Sequence, residues 1–251
     1  MMKRQRRQDA IVERLSAGDP HGITELAEAL GVSDETVRRE LRVLEADGTV
    51  VRSHGAVRLA RVELEGSFAT RLQRNADVKQ RIAIAAARLV ADGQTLFLDA
   101  STTGYYVARA LRDHRDLTVV TNAIGVATEL GGRAGNRVLL AGGEVDYDYR
   151  ACFDPTALDY LALFTPSLAI LSVESIHPDH GFTDYHVGEA ATCRRMIAQS
   201  ARVLVAADST KFGRYGTIRV AGFDAVDVLV TDAHPSDDYR AALARIELVV
   251  A

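Results

Sequence analysis

Cysteine is scarce in this chain, with Cys152 and Cys193 its only two. They form no metal-binding or redox spacing, and a reducing cytoplasm is the simplest setting for them. Also missing is any run near the ~18 consecutive apolar residues of a membrane span, so no membrane partner is expected. The opening MMKRQRRQDAIVERL is basic but continues as an amphipathic helix, which reads as something other than a signal peptide. There is no internal repeat and no low-complexity tract. What is present is ordinary globular composition, 47% hydrophobic and 25% charged over 251 residues. That length allows one large domain or two smaller ones.

The formal net charge of -4 conceals an asymmetry. Residues 1–61 hold 11 Lys/Arg against 10 Asp/Glu, and residues 62–251 hold 19 against 24. Binding a nucleic acid needs local cations rather than a basic whole, so the acidic total does not exclude it.

The first third of the chain reads as three short helices and a hairpin. Ile11, Val12 and Leu15 mark one face of a first helix. Thr24 is a candidate cap for a second, with Leu26, Ala27 and Leu30 inward and Gly31 ending it in a turn. Ser33 is placed as the N-cap of a third, whose Val37, Leu41 and Leu44 share the buried side. At about 100° per residue, Glu35, Arg38, Arg39 and Arg42 project from the opposite side. Helix, tight turn, helix is a helix-turn-helix, and guanidiniums on its outward face suit phosphates and guanine edges. After Asp47-Gly48, Val50/Val51 and Val57/Leu59 flank a His54-Gly55 turn, the pattern of a β-hairpin wing. The wing would set Arg52, His54 and Arg58 beside the duplex backbone.

The segment TELAEALGVSDETVRRELRVLEADGTVVRSHGAV resembles the DNA-binding domain of the DeoR family of bacterial regulators, above all in VS..TVRREL and the R.HGA tail. The resemblance implies a recognition helix over roughly residues 33–47. On this reading Arg38, Arg39 and Arg42 enter the major groove with Ser33, Glu35 and Thr36 around them, while Lys3, Arg4, Arg52 and His54 meet phosphates. Residues 1–60 form the winged helix-turn-helix domain, 61–78 a linker, and 79–251 an effector-sensing domain.

From residue 79 the pattern changes. Strand-like runs at 95–98, 117–120, 137–140, 168–171, 202–206 and 226–230 alternate with helical patterns at 104–112, 122–131, 155–163 and 188–200. This predicts an α/β domain with a mostly parallel sheet covered on both faces. Polar residues follow the strand ends: Asp99 with Ser101, Thr102 and Thr103, then Asn122, Gly142-Gly143, Glu174, and Asp208 with Lys211. Open α/β sheets bind ligands outside those ends. The Ser101–Thr103 stretch opens a helix whose free N–H groups favour an anion, and Lys211 is expected to add a matching charge. FLDASTT, VVTNA, LAGG, EAATCRRMI and ADSTKFG resemble the DeoR-type sensor domain, similar in fold to ribose-5-phosphate isomerase. The resemblance implies a phosphorylated sugar or related metabolite as effector. It also implies a phosphate loop at Ser101, Thr102 and Thr103, with Asp99, Asn122, Gly143, Glu189, Asp208 and Lys211 at other pocket positions. FATRLQRNADVKQRIAIAA matches the family's entry into this domain, with Arg71 and Lys79 at familiar places.

The chain departs from the family pattern in charge. Glu144, Asp146 and Asp148 follow Gly142-Gly143 where arginines are usual, Glu174 lies in Ser-Val-Glu-Ser rather than Gly-Val-Asp-Gly, and Cys193 stands in place of a lysine. Lost cations and added carboxylates predict an effector with one phosphate at most and a polyol or amine-bearing far end. The stretch HPDHGFTDYH, with His177, His180, Asp184 and His186, fits no firm metal template and reads as a surface loop. Tyr105, Tyr106 and Phe212 read as packing residues. Taken together, the chain reads as a ligand-responsive DNA-binding transcription repressor of a carbohydrate or related metabolic operon, a homo-oligomer without cofactor or metal. A sugar-phosphate isomerase-like enzyme is the competing class, since fold does not fix function.

Overall fold

The computed structural model describes residues 4–15, 21–46, 50–53, 56–59 and 68–251, which fall into two compact units, 1–71 and 72–251. Lys3 and His54 lie outside the described residues, as does the turn carrying His54.

The first unit comprises α1 (Arg4–Leu15), β1 (His21–Gly22), α2 (Ile23–Leu30), α3 (Asp34–Ala46), β2 (Val50–Ser53) and β3 (Ala56–Leu59). The expected apolar stripes meet: Ile11, Leu15, Leu26, Val37, Leu41 and Leu44 form one core with Val50 and Val57 of the hairpin. Helix α2 begins two residues earlier than a Thr24 cap would place it. Gly22 is the cap, its N–H donating to Glu25 Oε2 at 3.3 Å, and Thr24 instead bonds the Asp34 carboxylate at 3.1 Å. Gly31 closes α2 in the left-handed conformation. Strands β2 and β3 pair antiparallel, and β1, which has no apolar pattern of its own, adds a third strand against β3. Beneath α3, buried Glu40 accepts from Arg7 at 2.5 Å and from Gln8 at 3.0 Å, tying α1 to α3.

Helices α4 (Phe68–Gln73) and α5 (Ala76–Ala87) occupy residues expected to form the linker and its end. The segment is helical because Leu72, Ala76, Val78, Ile82 and Ala86 supply an apolar face to the second core. There follow β4 (Thr95–Leu98), α6 (Thr102–Ala110), β5 (Thr118–Thr121), α7 (Ile124–Leu130), β6 (Arg137–Leu140), β7 (Val145–Asp146) and β8 (Ala151–Cys152). The chain continues through α8 (Pro155–Leu161), β9 (Leu168–Leu171), β10 (Ser175–His177), β11 (Gly181–Asp184), α9 (Val187–Gln199), β12 (Val203–Ala206), β13 (Ile218–Ala221), β14 (Val228–Thr231) and β15 (Glu247–Val250).

Seven strands form one sheet in the order β15-β14-β12-β9-β4-β5-β6, every neighbouring pair parallel. Side chains alternate between its faces as strand geometry requires. Leu96, Leu98, Val119, Ile170, Leu204 and Val228 join the core under α5, α6 and α7. Phe97, Val120, Leu171, Val205 and Leu229 join the core under α8 and α9. The second unit is thus the expected α/β domain, with β15 added at one edge. The order also locates a switch point. From β4 the chain steps to β5 and β6 on one side, then returns through β9, β12, β14 and β15 on the other, so the crevice lies between β4 and β9. The stretch read as a surface loop over residues 177–186 is instead largely sheet. β10 and β11 form a hairpin that β13 extends, because Ile176 and Phe182 bury against the core. Among the described residues, no helix is long and apolar enough to cross a membrane.

Glu40 and Glu35 lie on opposite sides of α3, one buried and one exposed. Glu40→Ala strands the buried Gln8 amide and the Arg7 guanidinium, at a cost of about 3 kcal/mol. Glu35→Ala removes only a solvated carboxylate, and a change within about 0.5 kcal/mol is expected. Chemical denaturation followed by circular dichroism separates the two, and equal losses would contradict this assignment of the faces.

Candidate functional site

Two sets of polar residues stand out, one in each unit. In the first, Ser33 caps α3: its hydroxyl accepts the Thr36 N–H at 3.3 Å and lies 3.0 Å from the Thr36 hydroxyl. Asp34 and Glu35 in the first turn complement the helix dipole. Glu35, Arg38, Arg39 and Arg42 are all exposed, away from the Val37–Leu41–Leu44 stripe. Arg42 pairs with Glu35 at 3.1 Å, but with both side chains 63% exposed the pair is weak and readily exchanged. Arg38 and Arg39 have no carboxylate partner among the described residues. Arg52, on β2, pairs with Glu45 of α3 at 2.8 Å, which fastens the wing to the helix. Arg4 lies in the first turn of α1. The arrangement offers a short capped helix with cations on its outward face and a hairpin behind it.

In the second unit, polar groups gather at the C-terminal ends of β4 and β9. Asp99, 4% exposed, is the centre of the arrangement. Its Oδ1 accepts from the Ser101 N–H at 3.2 Å and the Ser101 hydroxyl at 2.7 Å, and its Oδ2 accepts the Ser172 N–H at 2.7 Å across the crevice. Ser101 in turn caps α6, accepting the Gly104 N–H at 2.8 Å. A Cβ at residue 104 would sit 2.5 Å from Asp99 Oδ1, so this helix start requires glycine. Thr103 lies 3.5 Å from the Ser172 hydroxyl. Lys79, buried on α5, donates to the Thr102 hydroxyl at 2.9 Å. The lysine at this loop is therefore Lys79, whereas Lys211, expected to serve it, donates to Glu174 Oε2 at 2.5 Å.

Beside that pair lies Asp184, which sequence reasoning placed only in an exposed loop. It is 2% exposed and accepts the N–H groups of Tyr185 at 2.7 Å and His186 at 2.8 Å. Burial pushes its carboxyl up to about 6, and Glu174 adds to the rise, against the N–H of His186 and Tyr185 and the Lys211 ammonium. Cys193, fully buried on α9, has its thiol raised well above the ordinary range by burial and then by the nearby carboxylates of Asp99, Asp184 and Glu189. Asp184 thus stands in the field of the Lys211–Glu174 pair, and Cys193 in that of Asp99, Asp184 and Glu189.

Other expected pocket residues are committed locally. Asn122 is wholly buried and donates to the Cys152 carbonyl at 2.9 Å, joining the end of β5 to β8. Gly143, at φ +146°, leaves room for the Asp154 carboxylate that caps α8. Asp208 accepts from Thr210 N–H at 3.0 Å and shapes the single 3₁₀ turn, Ser209–Lys211, that carries Lys211. Tyr105 donates to Glu129, Tyr106 to the Leu72 carbonyl, and Phe212 packs edge-on to Tyr239. His177, His180 and Tyr215 form a ring cluster on the small sheet. Among the described residues no three His, Cys, Asp or Glu side chains are placed to hold a metal.

The folded-state pKa of Asp184 exceeds the 3.8 of a free aspartate, so the folded protein binds this proton more tightly. Protonated Asp184 therefore favours folding fully below about pH 4, and that contribution disappears as pH rises through about 6. Two units correspond to on the order of 3 kcal/mol. Asp184→Asn is expected to gain that amount relative to the parent between pH 4 and pH 7.5 in denaturation curves. Parallel stability profiles would contradict it.

Comparison with known proteins fits both halves. Residues 7–62 match the model of the DeoR-like helix-turn-helix domain, and residues 74–233 match that of the DeoR C terminal sensor domain. The glycerol-3-phosphate regulon repressor of Escherichia coli (strain K12) is 32% identical over 93% of this chain and 93% of its own length. The transcriptional repressor AccR of Agrobacterium fabrum is 35% identical over 91% and 90%. The HTH-type transcriptional repressor GlcR of Bacillus subtilis is 31% identical over 99% and 97%. Among solved structures, ribose 5-phosphate isomerase from Plasmodium falciparum aligns over 56% of this chain and 55% of its own, with 13% identity and a TM-score of 0.41. The relatives are named as transcriptional repressors rather than enzymes, which removes the isomerase reading: the chain belongs to the DeoR family of transcriptional regulators, with a helix-turn-helix DNA-binding domain joined to an α/β sensor domain.

Proposed function

We propose that the protein is a cytoplasmic repressor that reads a double-stranded operator through α3 and senses a phosphorylated sugar or polyol at the β4–β9 crevice. Residues 1–60 carry the first role and 79–251 the second. Arg38, Arg39 and Arg42 read base edges and phosphates in the major groove, with Ser33, Glu35 and Thr36 at the helix start. Lys3, Arg4, Arg52 and His54 hold the backbone. One winged domain covers too few bases for high specificity, so a homo-oligomer on repeated half-sites is the working form.

The observation that carries the sensing role is the start of α6. The first turn of α6 with its Thr102 and Thr103 N–H groups, the hydroxyls of Ser101, Thr102 and Thr103, and the buried Lys79 side chain lie there beside the switch point. A phosphate group fits such a helix terminus, and the ammonium would shift from the Thr102 hydroxyl to the anion. Asp99, Glu174 and Glu189 face the remainder of the ligand, and Asn122, Gly143 and Asp208 hold the strand ends that frame it, with Asp208 also placing Lys211. The relative named for the glycerol-3-phosphate regulon is consistent with a phosphorylated polyol. No cofactor is needed. Occupancy of the crevice changes operator affinity through a coupling of about 1–3 kcal/mol, or 5- to 150-fold.

Separable variants test this reading. Arg39→Ala should weaken operator binding by about 1–3 kcal/mol and leave ligand-induced thermal stabilisation intact. Thr102→Val should abolish the response to phosphorylated sugars and leave operator affinity without ligand unchanged. Fluorescence anisotropy and thermal shift read the two, and loss of both activities in both variants would contradict separate sites.

A further inference from the structure

Strand β6 is one edge of the seven-stranded sheet, and among the described residues only β5 pairs with it. Arg137 and Ala141 give their N–H groups to the carbonyls of Leu117 and Thr121 on the β5 side. Successive peptide groups of a strand point opposite ways, so the N–H and C=O of Val138 and Leu140 face the open side. Strands β9, β12 and β14 are buried at all four positions, whereas β6 leaves Arg137 and Leu140 exposed, Leu140 at 41%. The two ends of this edge also differ in charge. At its start stand Arg133 and Arg137, exposed and without a carboxylate partner among the described residues, with Asp116 beside them through its N–H to the Ala134 carbonyl. Beyond its end stand Glu144, Asp146 and Asp148, followed by Arg150. None of the three acids pairs with a lysine or arginine among the described residues, His186 being 4.0 Å from Asp146, and the Asp154 carboxylate joins them by accepting the Glu144 N–H.

We propose that β6 is a self-association edge: two copies of the chain pair their β6 strands antiparallel about a two-fold axis at Leu139, joining the two sheets into one. Val138 and Leu140 are the residues whose polar groups face outward, so each exchanges N–H···O=C bonds with the other across the axis. Leu139 then meets its own copy at the non-hydrogen-bonded position between them. The exposed Leu140 side chain gains an apolar cross-strand neighbour in the partner's Val138. The same half-turn brings the Arg133–Arg137 end of each copy to the Glu144–Asp148 end of the other, on both sides of the axis. Opposite charges thus select this direction and register. An edge that complements itself after a half-turn fits a second copy better than an unrelated chain, and an isologous contact of this kind closes at two. The inference rests on the homo-oligomer reading above and assigns it a surface.

Cross-linking of the full-length protein tests the axis. Opposite residues at a non-hydrogen-bonded position have Cα atoms about 4.5 Å apart, within reach of a disulfide. Mild oxidation of Leu139→Cys should therefore give a covalent dimer. The parent, whose Cys152 and Cys193 are buried, should give none, nor should Ser236→Cys, an exposed position near the opposite edge of the sheet. Leu139 is partly buried, so circular dichroism checks the fold of that variant, and a charge swap at exposed residues gives a second reading. Arg133→Glu and Glu144→Arg should each raise the dissociation constant about fivefold in sedimentation equilibrium at low salt, and the double variant should return it to within about twofold of the parent. A parent that is monomeric at tens of micromolar overturns the inference and the homo-oligomer reading together. An oligomeric parent with no Leu139→Cys cross-link and no response to either charge reversal overturns the inference and leaves that reading standing. Equal cross-linking of Leu139→Cys and Ser236→Cys overturns it too, as does a double variant that associates no better than the singles.

Discussion

A single carboxylate bridges the place where the sheet reverses its order. Asp99 leaves β4 and bonds the Ser172 N–H at the end of β9, while its other oxygen takes both the N–H and the hydroxyl of Ser101. An ionised carboxylate is an acceptor only, so it serves all three donors where an amide would set a donor against one of them. The consequences spread outward. Ser101 is held to cap α6, residue 104 has no room for a side chain, and Thr102 comes within reach of Lys79. Burial makes the arrangement strict, since an unserved polar group at 4% exposure costs more than the bond it loses.

Charge is handled differently in the two units, and the contrast follows function. In the helix-turn-helix unit the buried carboxylate Glu40 is spent on fastening α1 to α3. The exposed guanidiniums of Arg38 and Arg39 remain available, and Arg42 is held only by a solvated pair. A surface meant for a polyanion needs that economy, because each cation engaged internally is one fewer for phosphate. In the sensor unit the two lysines, Lys79 and Lys211, are enclosed. Lys79 donates to the Thr102 hydroxyl and Lys211 to the Glu174 carboxylate.

Much of the fold could be read in the sequence because its periodicities are clean. Val37, Leu41 and Leu44 share one helical face, and the parallel strands are short apolar runs with polar ends. Strands at 95–98, 137–140 and 168–171 fall where their apolar runs placed them. What was not legible depends on partners distant in sequence. β1 is two residues, His21 and Gly22, made into a strand only by β3. Residues 68–78 look like a charged connector until the sheet supplies an apolar surface for Leu72, Ala76 and Val78. Asp184 looked like part of a loop because its burial arises from the β10–β11–β13 sheet, whose pairing no local pattern announces. Lys79 and Lys211 could be named as cations, but which would stand at the Ser101–Thr103 loop was settled by a helix 23 residues upstream of Thr102. Asn122 and Gly143 stand at the strand ends where they were expected, but that Asn122 bonds the Cys152 carbonyl and that Gly143 lies against the Asp154 carboxylate depends on residues distant in sequence.

The account depends on the Asp99 bridge organising the crevice without reaching the helix-turn-helix domain. The most direct measurement is a thermal-shift titration of Asp99→Asn with a panel of phosphorylated sugars and polyols, run alongside operator binding by the same preparation. Ligand stabilisation should disappear while operator affinity in the absence of ligand stays at the parent value. Stabilisation by the same ligands to the same extent in both proteins would contradict the account.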